Sequence, residues 1–273
     1  MSEPLLYETH SHTPLCGHAA GEPEQYAAVA AERGLRGIII TCHNPMPNDF
    51  SRWARMAPEQ FGDYLALVER ARQAMAGEVD VRLGLECDYF PDYVDWVREQ
   101  LTQADFHYVL GSVHPQLHEM RDRYWTGDPV EYQRNYFNLL ADAAETGLFD
   151  CLSHPDLVKN ITPKAWQPSE MMDDICRALD RIAATGLAME LNTSGANKSV
   201  AEMNPFPQML EAMRERQIPV VIGADAHEPG RVGDRFVEAL ELLKSCGYQH
   251  VSYFLDRQRQ DVPIDAALAS LSA

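Results

Sequence analysis

Glu8-Thr9-His10-Ser11-His12-Thr13-Pro14-Leu15-Cys16-Gly17-His18 is the stretch from which the fold is read. It continues the apolar run Leu5-Leu6-Tyr7, so His10 and His12 fall at the end of a strand. Side chains alternate faces along a strand, and residues two apart project to one side. Two imidazoles therefore aim at one place. His18 follows a loop containing Pro14 and Gly17, residue types that let a chain fold back over the strand tip. The stretch reads as half of a metal site, whose other half must come from the ends of other strands.

Working outward, seven short apolar runs alternate with helix-length amphipathic segments, the pattern of a parallel sheet with crossover helices. The strands are expected at Leu5 to Thr9, Gly37 to Thr41, Val81 to Glu86, His107 to Val113, Phe149 to Ser153, Leu187 to Leu191 and Pro219 to Gly223. Helices are expected near Pro23 to Arg33, Pro58 to Ala76, before Leu101, Pro129 to Thr146, Pro168 to Thr185, Pro205 to Arg216 and Val232 to Cys246. Several open with Pro, a residue suited to the first helical turn. His250 to Leu255 reads as an extra strand followed by an Arg- and Gln-rich tail. The expectation is one domain spanning 1–273, an α/β barrel.

Six of the seven runs end in a potential ligand. His43, Glu86, His114, His154, Asp225 and His227 join His10, His12 and His18 at the C-terminal ends of strands, where such barrels carry their chemistry. Strand parity puts small residues on the same face below three of them: Gly84 under Glu86, Ser112 under His114 and Gly223 under Asp225. A lone histidine on a strand is more often structural, but seven of the ten histidines gather at one rim here. Nine donors exceed the four or so that one tetrahedral ion takes. With a shared carboxylate they would serve two or three divalent ions. Nitrogen-rich donors suit Zn, Mn or Fe better than Ca or Mg. Clustered divalent ions generate a nucleophile near neutral pH and stabilise a leaving oxygen, which points to hydrolysis at phosphorus or at an acyl carbon.

Composition narrows the partners. A formal net charge of -18 without clustered Lys and Arg argues against nucleic acid or an anionic membrane surface. The six cysteines lack CxxC spacing, which excludes a zinc ribbon and a dithiol redox motif. Cys42 and Cys87 neighbour ligands with opposite parity and read as small core residues. No basic leader and no membrane-length apolar run is present, so a cytoplasmic location is expected.

His10-Ser-His12 with His18, His43, Glu86, Gly111-Ser-Val-His114, Ser153-His-Pro-Asp156, Glu190-Leu-Asn-Thr-Ser-Gly195 and Gly223-Ala-Asp225-Ala-His227 resemble the motifs of the PHP (polymerase and histidinol phosphatase) family, its histidinol-phosphatase branch most of all. The resemblance runs from the first strand to the seventh. It implies a distorted (β/α)7 TIM-like barrel with a trinuclear site. By position, His10, His12, Glu86 and Asp225 would hold the first ion; Glu86, His114 and His154 the second; His18, His43 and His227 the third. Glu86 would bridge two ions, with a hydroxide between them attacking phosphorus. The implied activity is hydrolysis of L-histidinol phosphate, in histidine biosynthesis, to L-histidinol and phosphate.

Lys159, Lys198 and Arg231 lie near the rim in sequence and are candidates to neutralise a phosphate, against the rival reading of solvated surface charges. The family pattern often carries Arg near Asn197 or Lys159, and this chain departs from it there. Asp225 and His227 are candidates to pass a proton to the leaving alkoxide. Glu8 shares the His10 face and reads as an orienting partner for a ligand, or as a plain salt bridge. Besides the same phosphoesterase chemistry on another small phosphate ester, two rival functions are open. Amidohydrolases share the His-x-His start but use eight strands and often a bridging carbamylated lysine, a place Glu86 takes here. A non-catalytic metal-binding module is the other, disfavoured by the chain's acidity. Oligomeric state is not legible.

Overall fold

The computed structural model describes residues 3–271. Its strands are β1 (Tyr7–Glu8), β2 (Gly37–Ile40), β3 (Asp80–Asp88), β4 (Tyr108–Ser112), β5 (Cys151–Leu152), β6 (Ala188–Asn192), β7 (Val220–Gly223), β8 (His250–Leu255) and β9 (Gln258–Pro263). Its longer helices are α1 (Pro23–Glu32), α2 (Phe61–Ala74), α3 (Val94–Gln100), α4 (His118–Tyr124), α5 (Pro129–Glu145), α6 (Pro168–Thr185), α7 (Pro207–Glu215), α8 (Phe236–Ser245) and α9 (Ile264–Leu271). The nine strands form one sheet in sequence order, parallel from β1 to β8. Pro129, Pro168 and Pro207 open their helices, and the Asp128 side chain caps α5 by accepting the Val130 N–H at 2.8 Å. No described helix is long and apolar enough to cross a membrane.

The fold is the expected α/β barrel, and its closure sits beside the metal-site residues. Ser11, just past β1, bridges in parallel to Ala226, just past β7. The His12 N–H donates to the Ala226 carbonyl (2.9 Å) and the Ala226 N–H to the His10 carbonyl (3.0 Å). A second bridge sets His43 opposite Glu86. Ladder hydrogen bonds therefore fix the backbone of six candidate ligands or their immediate neighbours. Inside the barrel, Gly223 leaves room that nothing larger would: a Cβ there would lie 2.2 Å from Glu190 Oε1 and 2.6 Å from His10 Cβ.

Two segments differ from the sequence expectation. The Arg- and Gln-rich tail is not a tail: β9 pairs antiparallel with β8 through an Asp256-Arg257 turn, both residues at positive φ (52° and 60°), and α9 follows. Such a two-residue turn wants Asn or Gly, and neither is present to announce it. The hairpin crosses the N-terminal end of the barrel. Tyr253 stacks on Tyr7 (4.8 Å between centroids), Phe254 on Tyr108 (5.4 Å), and the Arg257 N–H donates to the His107 carbonyl (3.0 Å). The loop between β4 and α5 holds α4, whose charged sequence buries only Met120 and so shows almost no apolar periodicity.

Candidate metal centre

Glu86, near the end of β3, is the hub. Its Oε2 lies 2.8 Å from His43 Nδ1, 3.4 Å from His10 Nε2 and 3.6 Å from His12 Nε2. Its Oε1 lies 3.3 Å from His154 Nε2 and 3.4 Å from His114 Nε2, and accepts from Ser112 Oγ at 2.7 Å. Five imidazoles from four strand ends thus face one buried carboxylate. Asp225 Oδ1 stands across from it, 3.2 Å from His12 Nε2 and 3.7 Å from His10 Nε2. His227 stacks on His12 (3.9 Å) and lies 4.6 Å from the His18 ring. All nine expected donors are therefore brought together.

Two of them occupy strained backbone. His154 has φ of 27° and Asp225 φ of 50°, in the left-handed region that costs a non-glycine residue about 1–3 kcal/mol. The His154 N–H donates to Glu190 Oε2 (2.8 Å) and its carbonyl accepts from Tyr136 Oη (3.0 Å), contacts that hold the conformation. Strain of this kind collects where side chains must be aimed.

Whether the donors fit cations is answered by their unspent atoms. His10 Nε2, His12 Nε2, His43 Nδ1, His227 Nε2 and Glu86 Oε2 are buried and satisfied by no hydrogen bond of good geometry, a costly state unless something else binds them. The opposite nitrogens of four histidines are anchored. His10 Nδ1 meets Glu190 Oε1 (2.7 Å), His114 Nδ1 meets Asp88 Oδ1 (2.6 Å), His18 Nδ1 the Cys16 carbonyl (2.9 Å) and His227 Nδ1 the Asp225 carbonyl (3.0 Å). With Nδ1 donating, the neutral ring keeps its Nε2 lone pair for a cation, the arrangement of metal-binding histidines. Three sets of donors lie within 4.8 Å of one another around this centre: His10, His12 and Glu86; His43, Glu86 and His114; His12, His43 and His227. The residues fit a cluster of cations.

The charges agree. Burial would raise the Glu86 carboxyl, but the His43, His10 and His114 rings outweigh it and hold it well below the carboxylate range. Burial would lower His12 and His114; neighbouring carboxylates win, lifting them to about 9 and about 10. Burial prevails at His43, which falls to about 4, and at His227, which falls to about 3.

Other expectations meet mixed outcomes. Lys159 is no surface clamp: its side chain is fully buried, and Nζ donates to Asp156 (2.9 Å), Glu202 (3.1 Å) and the Met203 carbonyl (2.9 Å), which uses its three N–H groups. It pins the loop after β6 instead. Lys198 stands at the rim, Nζ 3.6 Å from Asp225 Oδ2. Arg231 pairs with Asp234 (2.7 Å), and the Asn197 amide oxygen, turned toward the guanidinium, accepts from it at 2.5 and 3.2 Å. Arg231 thereby brings a cation beside Asn197. Glu8 orients no imidazole; its carboxylate accepts the N–H groups of His10 (3.0 Å), Ala224 (2.9 Å) and Gly233 (2.6 Å), tying β1 to β7. Cys42 and Cys87 are buried, as expected, and Cys42 Sγ accepts from Thr13 Oγ1 at 3.2 Å. Sequence reading gave no role to Glu190 or Asp88. Parity was the available signal, since Asp88 lies two beyond Glu86 on its face.

A barrel with histidines and carboxylates converging at its C-terminal rim defines a class, the metal-binding α/β barrels. Within it, the PHP domain model matches residues 8–194, and the chain belongs to that family. A protein of Deinococcus radiodurans named "Probable histidinol-phosphatase" is 40% identical over 254 residues, 91% of this chain and 96% of the relative. The histidinol-phosphatase of Bacillus subtilis is 25% identical, over 85% of this chain and 97% of that one. The structure of histidinol phosphate phosphatase from Lactococcus lactis, complexed with Zn, L-histidinol and phosphate, matches with a TM-score of 0.77 over 93% of this chain and 98% of that one, at 19% identity.

Proposed function

We propose that this chain is a phosphomonoesterase that hydrolyses L-histidinol phosphate to L-histidinol and inorganic phosphate, using two or three divalent cations, zinc foremost. The observation that carries this reading is the Glu86 hub, one buried carboxylate facing five imidazoles, three of which (His10, His12 and His43) turn an unpaired nitrogen toward it. The relatives named for this reaction, one of them 40% identical, support the substrate.

His10, His12, Glu86 and Asp225 would hold one cation, Glu86, His114 and His154 a second, and His18, His43 and His227 a third. Bound there, the cations supply Lewis acidity toward the phosphoryl oxygens and lower the pKa of water. The chain's own groups do the rest. Glu190 and Asp88 keep His10 and His114 in the tautomer that presents Nε2 inward. Lys198 and Arg231, joined through Asn197, offer cationic donors to the ester's phosphate from the rim. Asp225 or His227 would be the group to pass a proton toward the leaving alcohol. Burial of Glu86, His10, His12, His114 and His154 keeps bulk water from the inner part of the cluster and strengthens the interactions there, while His18 and His227 form its open side.

A panel of phosphate esters, assayed on protein whose metal content is quantified, tests the proposal. Turnover of L-histidinol phosphate above the other esters is expected. Fast hydrolysis of a different ester with none of histidinol phosphate overturns the substrate, and no hydrolysis of any ester by metal-loaded protein overturns the activity.

A further inference from the structure

The contacts behind His114 do not stop at Asp88. Asp88 Oδ2 is met by Arg55 Nη2 at 2.5 Å, and both side chains are about 2% exposed. Arg55 comes from neither strand nor helix of the barrel but from the loop between β2 and α2. Its Nη1 donates to the Asn44 carbonyl (3.0 Å), and its guanidinium lies over the Phe50 ring (5.3 Å). Asn44 directly follows His43, and its Oδ1 accepts the Asp88 N–H (3.1 Å). One planar fork therefore grips the residue after one candidate ligand and the carboxylate that orients another. Asp88 itself lies two residues beyond Glu86. Only the tip of the loop is on the surface, at Asn48, Asp49, Arg52 and Trp53, the last 59% exposed, while buried Ser51 is latched to Glu119 of α4 by two 2.8 Å hydrogen bonds.

We propose that Arg55 is a positioning residue for the metal centre: through Asp88 it fixes the His114 ring, through Asn44 it fixes His43, and it makes this loop part of the site. The inference rests on the metal-binding reading and is independent of which ester is hydrolysed. A buried ion pair adds little net stability over an apolar pair of the same volume, so stability alone gives weak reason for Arg here. Geometry gives a better one. The guanidinium is flat and presents paired donors, which lets it span two acceptors on two chain segments; an ammonium is a point charge. Coupling of this kind is reciprocal: if the loop orders the donors, bound cations must steady the loop.

The test compares Arg55→Lys and Arg55→Met with the wild type by zinc affinity, measured by competition with a chromophoric chelator, alongside kcat and KM for histidinol phosphate. Arg55→Met should weaken zinc binding about 10–100-fold and lower kcat in step, the usual effect of losing an outer partner of a ligand, with KM little changed. Arg55→Lys keeps the charge, so Asp88 is not left unpaired and folding is secured; it should recover only part of the affinity. Wild-type zinc affinity and kcat in Arg55→Lys and in any folded Arg55→Met overturn the proposal. A second readout is trypsin cleavage after Arg52, whose side chain is 70% exposed. Zinc should slow that cleavage in the wild type and not in Arg55→Met; cleavage of the wild type at one rate with and without zinc also overturns it. Failure of wild-type turnover on histidinol phosphate would instead remove the substrate assignment and leave these zinc measurements standing.

Discussion

Glu190→Gln changes one atom and should disable a metal ligand. Glu190 Oε1 lies 2.7 Å from His10 Nδ1, while Oε2 accepts the His154 N–H (2.8 Å) and Asn192 Nδ2 (3.0 Å). Every group facing this carboxylate donates, and an amide can accept on one side only. If its NH2 faces His10, Nδ1 must accept, the ring proton moves to Nε2, and the lone pair directed at Glu86 and Asp225 is lost. If its NH2 faces the other way, it opposes two donors and His154 loses the contact that holds its left-handed backbone. Gly223 removes any room for escape, since its missing side chain is the space Glu190 Oε1 fills. Loss of such an outer partner typically weakens metal binding about 10–100-fold, about 1.4–2.8 kcal/mol. Folding loses a charge-assisted hydrogen bond of about 1.5–3 kcal/mol, a drop in Tm of roughly 3–12 °C for a chain of this size. Competition against a chromophoric chelator reads the zinc affinity, and scanning calorimetry of metal-free protein reads the stability. A folded Glu190→Gln protein that binds zinc as tightly as the wild type would refute the tautomer argument.

Further outcomes follow from the same geometry. Lys198→Ala should raise KM for the phosphate ester about 10-fold or more with the fold intact, measured by initial rates and circular dichroism; Lys159→Met should leave KM near wild type but cost about 3–5 kcal/mol of stability, because Asp156 and Glu202 lose their buried cation. Phe254→Ala should destabilise by about 3 kcal/mol in denaturant titration while kcat stays unchanged, since the hairpin caps the end of the barrel opposite the site. Metal-free protein should be most stable near pH 6.5. His12 at about 9 and His114 at about 10 are raised, so their contribution is complete below pH 6.5 and lost as pH climbs through 9 to 10. His43 at about 4 and His227 at about 3 are lowered, so their neutral folded forms are disfavoured as pH falls below 6.5. Zinc should reverse the alkaline limb, because binding requires those imidazoles to shed protons; Tm against pH with and without zinc measures both.

What could be read ahead of the structure was whatever periodicity and strand ends carry. Alternation placed His10 and His12 on one face, and apolar runs ending in His43, Glu86, His114, His154 and Asp225 announced a rim. These readings succeeded because a strand's geometry is local: two residues of spacing fix a direction wherever the strand lies. β8 was legible as an extra strand, but its pairing with β9 escaped notice because the polar, exposed residues of β9 show no apolar signal and the turn lacks Asn or Gly. Lys159 was misplaced for a related reason. Lysine so near the rim suggested a phosphate clamp, with a solvated charge as the rival, yet its burial depends on Asp156 and Glu202, the latter 43 residues away.

The sequence by itself settled the fold class, the nine converging donors and the family, since each follows from local pattern or from the order of motifs along the chain. Only the tertiary structure decided how those donors are used. That Glu86 is the hub, that Glu190 and Asp88 meet Nδ1 of His10 and His114, and that Arg55 reaches Asp88 from a loop are facts about contacts across tens to hundreds of residues. Such contacts depend on how the barrel closes at Ser11 and Ala226, and hydrogen bonding at that closure, unlike alternation along a strand, leaves no periodic mark on the chain.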